Sequence, residues 1–191
     1  MGGGIGAAVM EHYPSLFDKA VLSAPMIAPV VGMPTWIARI ATGALCGLGF
    51  GKARVFGHTD FSPELDLDEH KGASEARVRW FHKQRVDDVA CQTNAATFEW
   101  AHQAMALSRA VLKPDMCGAI ETPTLLFQAG RDVWVLNGPQ DDFVERVREA
   151  ADQSKNTVRQ ALHEIFSHAE HGVGPYVNKI LDFLSAPADS L

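Results

Sequence analysis

MGGGIGAAVMEHYPSLFDKAVLSAPM, residues 1–26, passes from a glycine cluster into a helix and from that helix into a strand. Ile5 to His12 are good helix formers, and Pro14 ends the segment because its ring cannot continue a helix. Ala20, Val21 and Leu22 then form the unbroken apolar run of a parallel strand covered on both faces, stopped by Pro25. A glycine turn that opens a helix beside such a strand has two common uses. As a dinucleotide site, Gly2, Gly4 and Ala7 fit G-x-G-x-x-A, with a pyrophosphate at the helix N-terminus; this use expects an acid at the end of the next strand, which here reads Ser23-Ala24-Pro25. As the downstream half of a nucleophile elbow, G-x-S-x-G, Gly2 is the closing glycine and Met1 the residue after the serine. Gly3 and Gly4 would then permit close approach of the helix to its neighbours, since they carry no Cβ.

Further along, residues 26 to 118 hold three of the four tryptophans and read as helices joined by loops. Ser74 is placed to cap a helix through EARVRWFHKQRV, and Phe98, Ala101, Met105 and Leu112 fall on one face of another. Strand character returns at TPTLLFQAG, where Thr124 to Ala129 are apolar or β-tolerant and Gly130 releases the chain. GPQDDFVERVREAA reads as a helix beginning near Pro139 and burying Phe143, Val147 and Ala150; Asp141 and Asp142 are expected in its first turn as solvated dipole partners. NTVRQAL is a weaker strand. GPYVNKILDFL is a helix expected to start at Pro175 and to bury Tyr176, Ile180 and Phe183 or Leu184. The alternation of strand and helix predicts an α/β parallel sheet.

Composition sets limits on function. With 191 residues, 47% hydrophobic content and 21% charged residues, the chain can bury one ordinary core, and a formal charge of -6 without a basic patch argues against nucleic acid as a partner. Cys46, Cys91 and Cys117 form no CxxC pair, which points to a reducing compartment and to neither zinc nor a disulfide framework. Arg39 interrupts the longest apolar run, and no charged region followed by an apolar one opens the chain, so the expectation is a soluble cytoplasmic protein without a signal peptide. Gly6 stands where a myristoylation signal needs Ser or Thr. His163, His168 and His171 are spaced by five and three residues, which is not the H-E-x-x-H pattern, and neither metal nor cofactor is expected. His12, His58, His70, His82 and His102 are read as surface or lid residues, and Trp36, Phe50, Phe56, Trp80, Phe81, Phe98 and Trp100 as core.

On these segments the sequence resembles the α/β-hydrolases of the lysophospholipase and monoacylglycerol lipase group. The likeness begins at residues 1–26 and continues, in family order, through SEARVRW, ATFEWAHQAM, TPTLLFQAGRDVWV and ALHEIF. It implies a partial α/β-hydrolase fold divided into residues 1–25 (the helix and strand after the nucleophile), 26–118 (a helical lid over an acyl-chain pocket, in which some of the same aromatic residues would line a lipid-sized groove) and 119–191 (the C-terminal core). It also implies that Asp132 occupies the acid position, that His163 is the base after the last strand, and that the backbone N–H of Met1 belongs to the oxyanion hole. The implied chemistry is hydrolysis of a small lipid ester, a lysophospholipid or monoacylglycerol, with peripheral membrane contact compatible with such a substrate. The nucleophile serine would precede Met1, so the resemblance further implies a chain that is inactive alone, because loss of the nucleophile costs about a millionfold in turnover. Strand KAVLSA would pair on one side only, leaving an edge open to self-association. Two alternatives stay open: a non-catalytic remnant that binds lipid or a partner chain, and a dinucleotide-binding protein.

Overall fold

The computed structural model describes residues 1–57, 59–148, 154–158, 163, 165–167 and 170–187. Met1–Val30 and Ala106–Leu191 form one compact unit, and Val31–Met105 form another.

In the first unit, α1 (Gly2–His12) leads to β1 (Ala20–Ser23), and the short α5 (Pro114–Cys117) precedes β2 (Thr124–Ala129), which is followed by α6 (Asn137–Arg148), β3 (Ser154–Val158) and α7 (Glu170–Ser185). The three strands are parallel in the order β1-β2-β3, with Leu22 opposite Leu126 and Phe127 opposite Asn156. All six residues of β2 are buried, as a central parallel strand requires, and its side chains alternate between two cores. On one face, Leu22 and Leu126 meet Ala7 and Met10 of α1, Val111, and Phe143, Val144 and Val147 of α6. On the other, Leu125, Phe127 and Ala129 meet Ile165 and Tyr176, with Val177, Ile180 and Phe183 of α7 packed alongside. Each fully buried large side chain contributes about 1.5–3 kcal/mol, so this two-sided burial accounts for the sheet. Lys19 ties the far end of α7, its Nζ donating to the carbonyls of Phe183 at 2.7 Å and Ala186. β1 pairs with β2 on one side, and no described strand lies on the other.

The second unit contains α2 (Thr35–Gly47), α3 (Glu75–Asp87) and most of α4 (Phe98–Val111), joined by loops. Arg54 and Thr97 form an antiparallel bridge, flanked by hydrogen bonds from Val55 N to Ala96 O (2.9 Å) and from Phe98 N to Ala53 O (3.0 Å).

Several expectations change. Of the seven aromatic residues read as core, only Phe98 is buried; Trp36, Phe50, Phe56, Trp80, Phe81 and Trp100 are exposed. Aromatic character alone suggests core, but α2 buries only Ala38 and Thr42, and α3 only Val78, so among the described residues these aromatic side chains are left uncovered. Ser74 stands at the N-cap of α3, yet its side chain makes no capping hydrogen bond. Pro175 lies inside α7, which begins at Glu170; the missing N–H removes one intrahelical bond that the packing of Tyr176 offsets. Phe183 packs on the core while Leu184 is exposed. Because α6 starts at Asn137, Asp141 and Asp142 lie in its second turn rather than its first, and Asp141 accepts a hydrogen bond from Gln128 at 2.9 Å. Ala150, His58, His168 and residues 159–162 of the third predicted strand lie outside the described residues, as does the side chain of His171.

Candidate active site

In an open parallel sheet, functional groups collect beyond the C-terminal ends of the strands. Asp132 follows β2 by three residues, and His163 follows β3. The loop that carries Asp132 folds because its carboxylate acts as a local backbone partner: Oδ1 accepts from the amides of Trp134 (2.8 Å) and Val135 (3.0 Å). That loop is then laid against the chain leaving β1. Val30 N donates to Trp134 O and Leu136 N to Ala28 O, each at 2.9 Å, around an antiparallel bridge between Pro29 and Val135. These bonds leave Oδ2 free to meet His163, whose Nδ1 donates to it at 2.7 Å.

The Asp132 side chain is fully buried and that of His163 is 29% exposed. A carboxylate acts only as an acceptor, so the contact fixes the neutral imidazole with its proton on Nδ1 and leaves the lone pair on Nε2. A charge-assisted bond of this length holds both the tautomer and the ring plane. The arrangement can therefore remove a proton from a group presented at Nε2, and the buried carboxylate stabilises the imidazolium that results.

Met1 and Gly2 stand at the leading end of α1, where Met1 O accepts from Gly4 N (2.9 Å) and Ile5 N (3.2 Å) and no side chain caps the helix. This end lies at the same edge of the sheet as the acid loop, as the glycines show. A Cβ on Gly3 would fall 2.5 Å from Pro25 Cβ, and one on Gly4 would fall 2.4 Å from Met26 O. Pro25 and Met26 directly follow β1 and run on into the 28–30 segment that pairs with the acid loop. Gly2 meets nothing within 4 Å and has no positive φ, so neither packing nor backbone conformation in these residues demands a glycine there. Ala24, at the exit from β1, is the one non-glycine residue with positive φ (41°) among the described residues, and its N–H donates to Phe127 O at 2.8 Å.

Sequence reading missed three polar residues that underlie this site. Gln128 and Gln140 are buried, Gln140 Nε2 donates to Pro25 O at 3.0 Å, and Asn137 Nδ2 donates to Ala129 O at 3.0 Å. Their only sequence signal was the turn-like Asn137-Gly138-Pro139. Of the predicted surface histidines, His12 and His70 are exposed and His82 and His102 half-buried. Among the described residues no three His, Cys, Asp or Glu side chains converge as a metal site, and no helix is long and apolar enough to cross a membrane.

Comparison with known proteins adds the following. The profile of the family described as serine aminopeptidase, S33 matches residues 1–170. Lysophospholipase L2 of Escherichia coli strain K12 is 26% identical over 201 residues, a match covering 97% of this chain and 55% of that protein. The chain thus spans about half the length of the curated relatives it matches. Among solved structures, the monoacylglycerol lipase of Paleococcus ferrophilus superposes with a TM-score of 0.63 at 16% identity, covering 95% of this chain and 64% of that one. A soluble variant of monoglyceride lipase from Saccharomyces cerevisiae, in complex with a substrate analog, gives 0.62 at 18% identity, with 95% and 61% covered.

Proposed function

This chain belongs to the serine aminopeptidase S33 family and carries part of the α/β-hydrolase fold, and on that premise we propose that Asp132 and His163 are the acid and base of a serine hydrolase acting on carboxylic esters of lipids. The observation that carries the proposal is the 2.7 Å bond from His163 Nδ1 to a carboxylate with no solvent exposure. The substrate class, a lysophospholipid or a monoacylglycerol, follows the names of the relatives.

In this mechanism the serine Oγ attacks the ester carbonyl while its proton passes to His163 Nε2. The tetrahedral oxyanion is held by backbone N–H groups, that of residue 1 at the leading end of α1 among them. The imidazolium, stabilised by Asp132, then gives its proton to the departing alkoxide, and an acyl-enzyme forms. Water, deprotonated by the same Nε2, cleaves the acyl-enzyme, releasing the fatty acid and restoring the serine. No G-x-S-x-G pentapeptide occurs in residues 1–191. The proposal therefore assigns the attacking serine to an elbow ending at Gly2, in polypeptide N-terminal to Met1. Residues 26–118 take the role of lid, with the exposed Trp36, Ile37 and Ile40 of α2 as apolar surface for a lipid chain.

The test uses protein extended upstream through a G-x-S-x-G elbow, assayed on monoacylglycerol and lysophosphatidylcholine. Asp132→Asn is expected to lower kcat by about 10⁴-fold, the loss that follows when the base takes the wrong tautomer, with His163→Ala at least as severe. Residues 1–191 alone should not turn over p-nitrophenyl esters. Turnover retained in both variants would remove the proposal. A non-catalytic role, in which the edge of β1 that no described strand pairs is completed by another chain, is supported by the sheet order and predicts an extended protein that binds lipid without hydrolysing it.

A further inference from the structure

We infer that Asn137 is a positioning residue for the acid: its side chain closes the neck of the loop that carries Asp132, and so sets the contact between Asp132 and His163. The inference rests on the hydrolase reading above and deepens it.

Residues 130–136 leave β2 at Ala129 and enter α6 at Asn137. Two side chains tie these ends together. Asn137 Nδ2 donates across the neck to Ala129 O at 3.0 Å, and Gln128 Nε2 donates to Asn137 O at 3.0 Å and to Asp141 Oδ1 at 2.9 Å. Above the neck the loop is held on its outer side by the 28–30 segment, and its turn is held from within by Asp132 Oδ1. With the neck closed in this way, the second carboxylate oxygen stands at 2.7 Å from His163 Nδ1. The chemistry of Asn137 supports a positioning role over a merely structural one. Its Oδ1 is buried with no hydrogen-bond partner among the described residues, so the site retains a polar group at a cost that an apolar residue would avoid. The amide cannot be turned to relieve this, because the Ala129 carbonyl requires a donor.

The test is Asn137→Asp, which keeps the shape and removes the donor. A carboxylate in the first turn favours a helix start, so a residue serving only α6 would tolerate the change, whereas a neck residue would set its charge against the Ala129 carbonyl. The readout is the hydrogen-bonded imidazole Nδ1–H proton of His163 in the 191-residue chain labelled with ¹⁵N-histidine, assigned by its loss in Asp132→Asn. Asn137→Asp is expected to abolish this resonance or to speed its solvent exchange at least tenfold. In the upstream-extended protein, kcat should fall tenfold or more with KM unchanged. Gln128→Met, which removes the second tie at similar volume, should act in the same direction and carries the test if Asn137→Asp does not fold. A resonance that depends on Asp132 but exchanges within twofold of wild type in both neck variants overturns the neck inference and leaves the hydrolase reading standing. A resonance absent from wild type, or indifferent to Asp132→Asn, overturns both.

Discussion

Replacing Gly4 by alanine tests whether the glycine run exists to let α1 approach the chain leaving β1. The new Cβ would stand 2.4 Å from Met26 O and 3.3 Å from Met26 C, where real Cβ contacts stay beyond 3.0 Å, so backbone must move by at least about 0.6 Å. It has little room to do so. Ala24, Met26 and Ile27 are buried, Ile27 N donates to Pro25 O at 2.8 Å, and Gln140 Nε2 donates to the same oxygen at 3.0 Å. Overpacking of this kind costs about 1–3 kcal/mol, and a site this tethered belongs at the upper end. Alanine returns about 1 kcal/mol of helix propensity, which leaves a net loss of roughly 2 kcal/mol. Gly2→Ala is the matched control, since nothing lies within 4 Å of its Cβ position; it should be neutral or stabilising by up to about 1 kcal/mol. Urea unfolding of the two variants should then show midpoints separated by about 0.7 M or more, given slopes of about 1–3 kcal/mol per M. Equal midpoints would refute the reasoning, because they would mean that the close approach of α1 to Met26 is not a constraint on this protein.

Three further outcomes are expected. Burial, and secondarily the charge of Asp115, push the Glu11 carboxyl from its ordinary 4.5 up to about 7. The folded state therefore holds a proton that the unfolded chain has released between these values, and stability from this group is full below about pH 4.5 and lost as pH rises through 7; Glu11→Gln should recover on the order of 3 kcal/mol at pH 8 and little at pH 4.5 in chemical denaturation. Lys19→Met should cost about 1–2 kcal/mol and raise amide exchange in the last turn of α7, whose carbonyls lose their cation; unchanged exchange there would show that the lysine is dispensable. Alkylation followed by mass spectrometry should modify exposed Cys91 first and half-buried Cys46 later. Cys117, buried and with its thiol pushed up to about 11 by burial and by Glu11, should be protected until the chain unfolds.

Much of the core was legible because local chemistry and tertiary demand coincide there. TPTLLFQAG is apolar on both alternating faces and ends in glycine, and the strand observed is Thr124–Ala129, buried throughout. The glycine run was legible for the same reason: three residues without Cβ in a helix make sense only where another backbone comes close, and for Gly3 and Gly4 one does. Asp132 and His163 were named through family resemblance rather than periodicity, since an Asp after a strand and a His in a histidine-rich segment are each ordinary alone. The exposure of the tryptophans and phenylalanines of residues 31–105 was not legible, because a large aromatic side chain signals a preference for burial and not whether anything covers it.

The amino-acid sequence by itself determined the parallel strands, the helices between them and the close approach at Gly3 and Gly4, because these follow from side-chain period, ring constraints and missing Cβ atoms within a few residues of one another. Only the tertiary structure decided that residues 31 apart would share a hydrogen bond of 2.7 Å. Only it showed that the acid loop is laced to residues 28–30 and tied at its neck by Asn137 and Gln128. Those contacts join segments distant in the chain, and their existence depends on strand order and loop geometry, which no local pattern of residue types encodes.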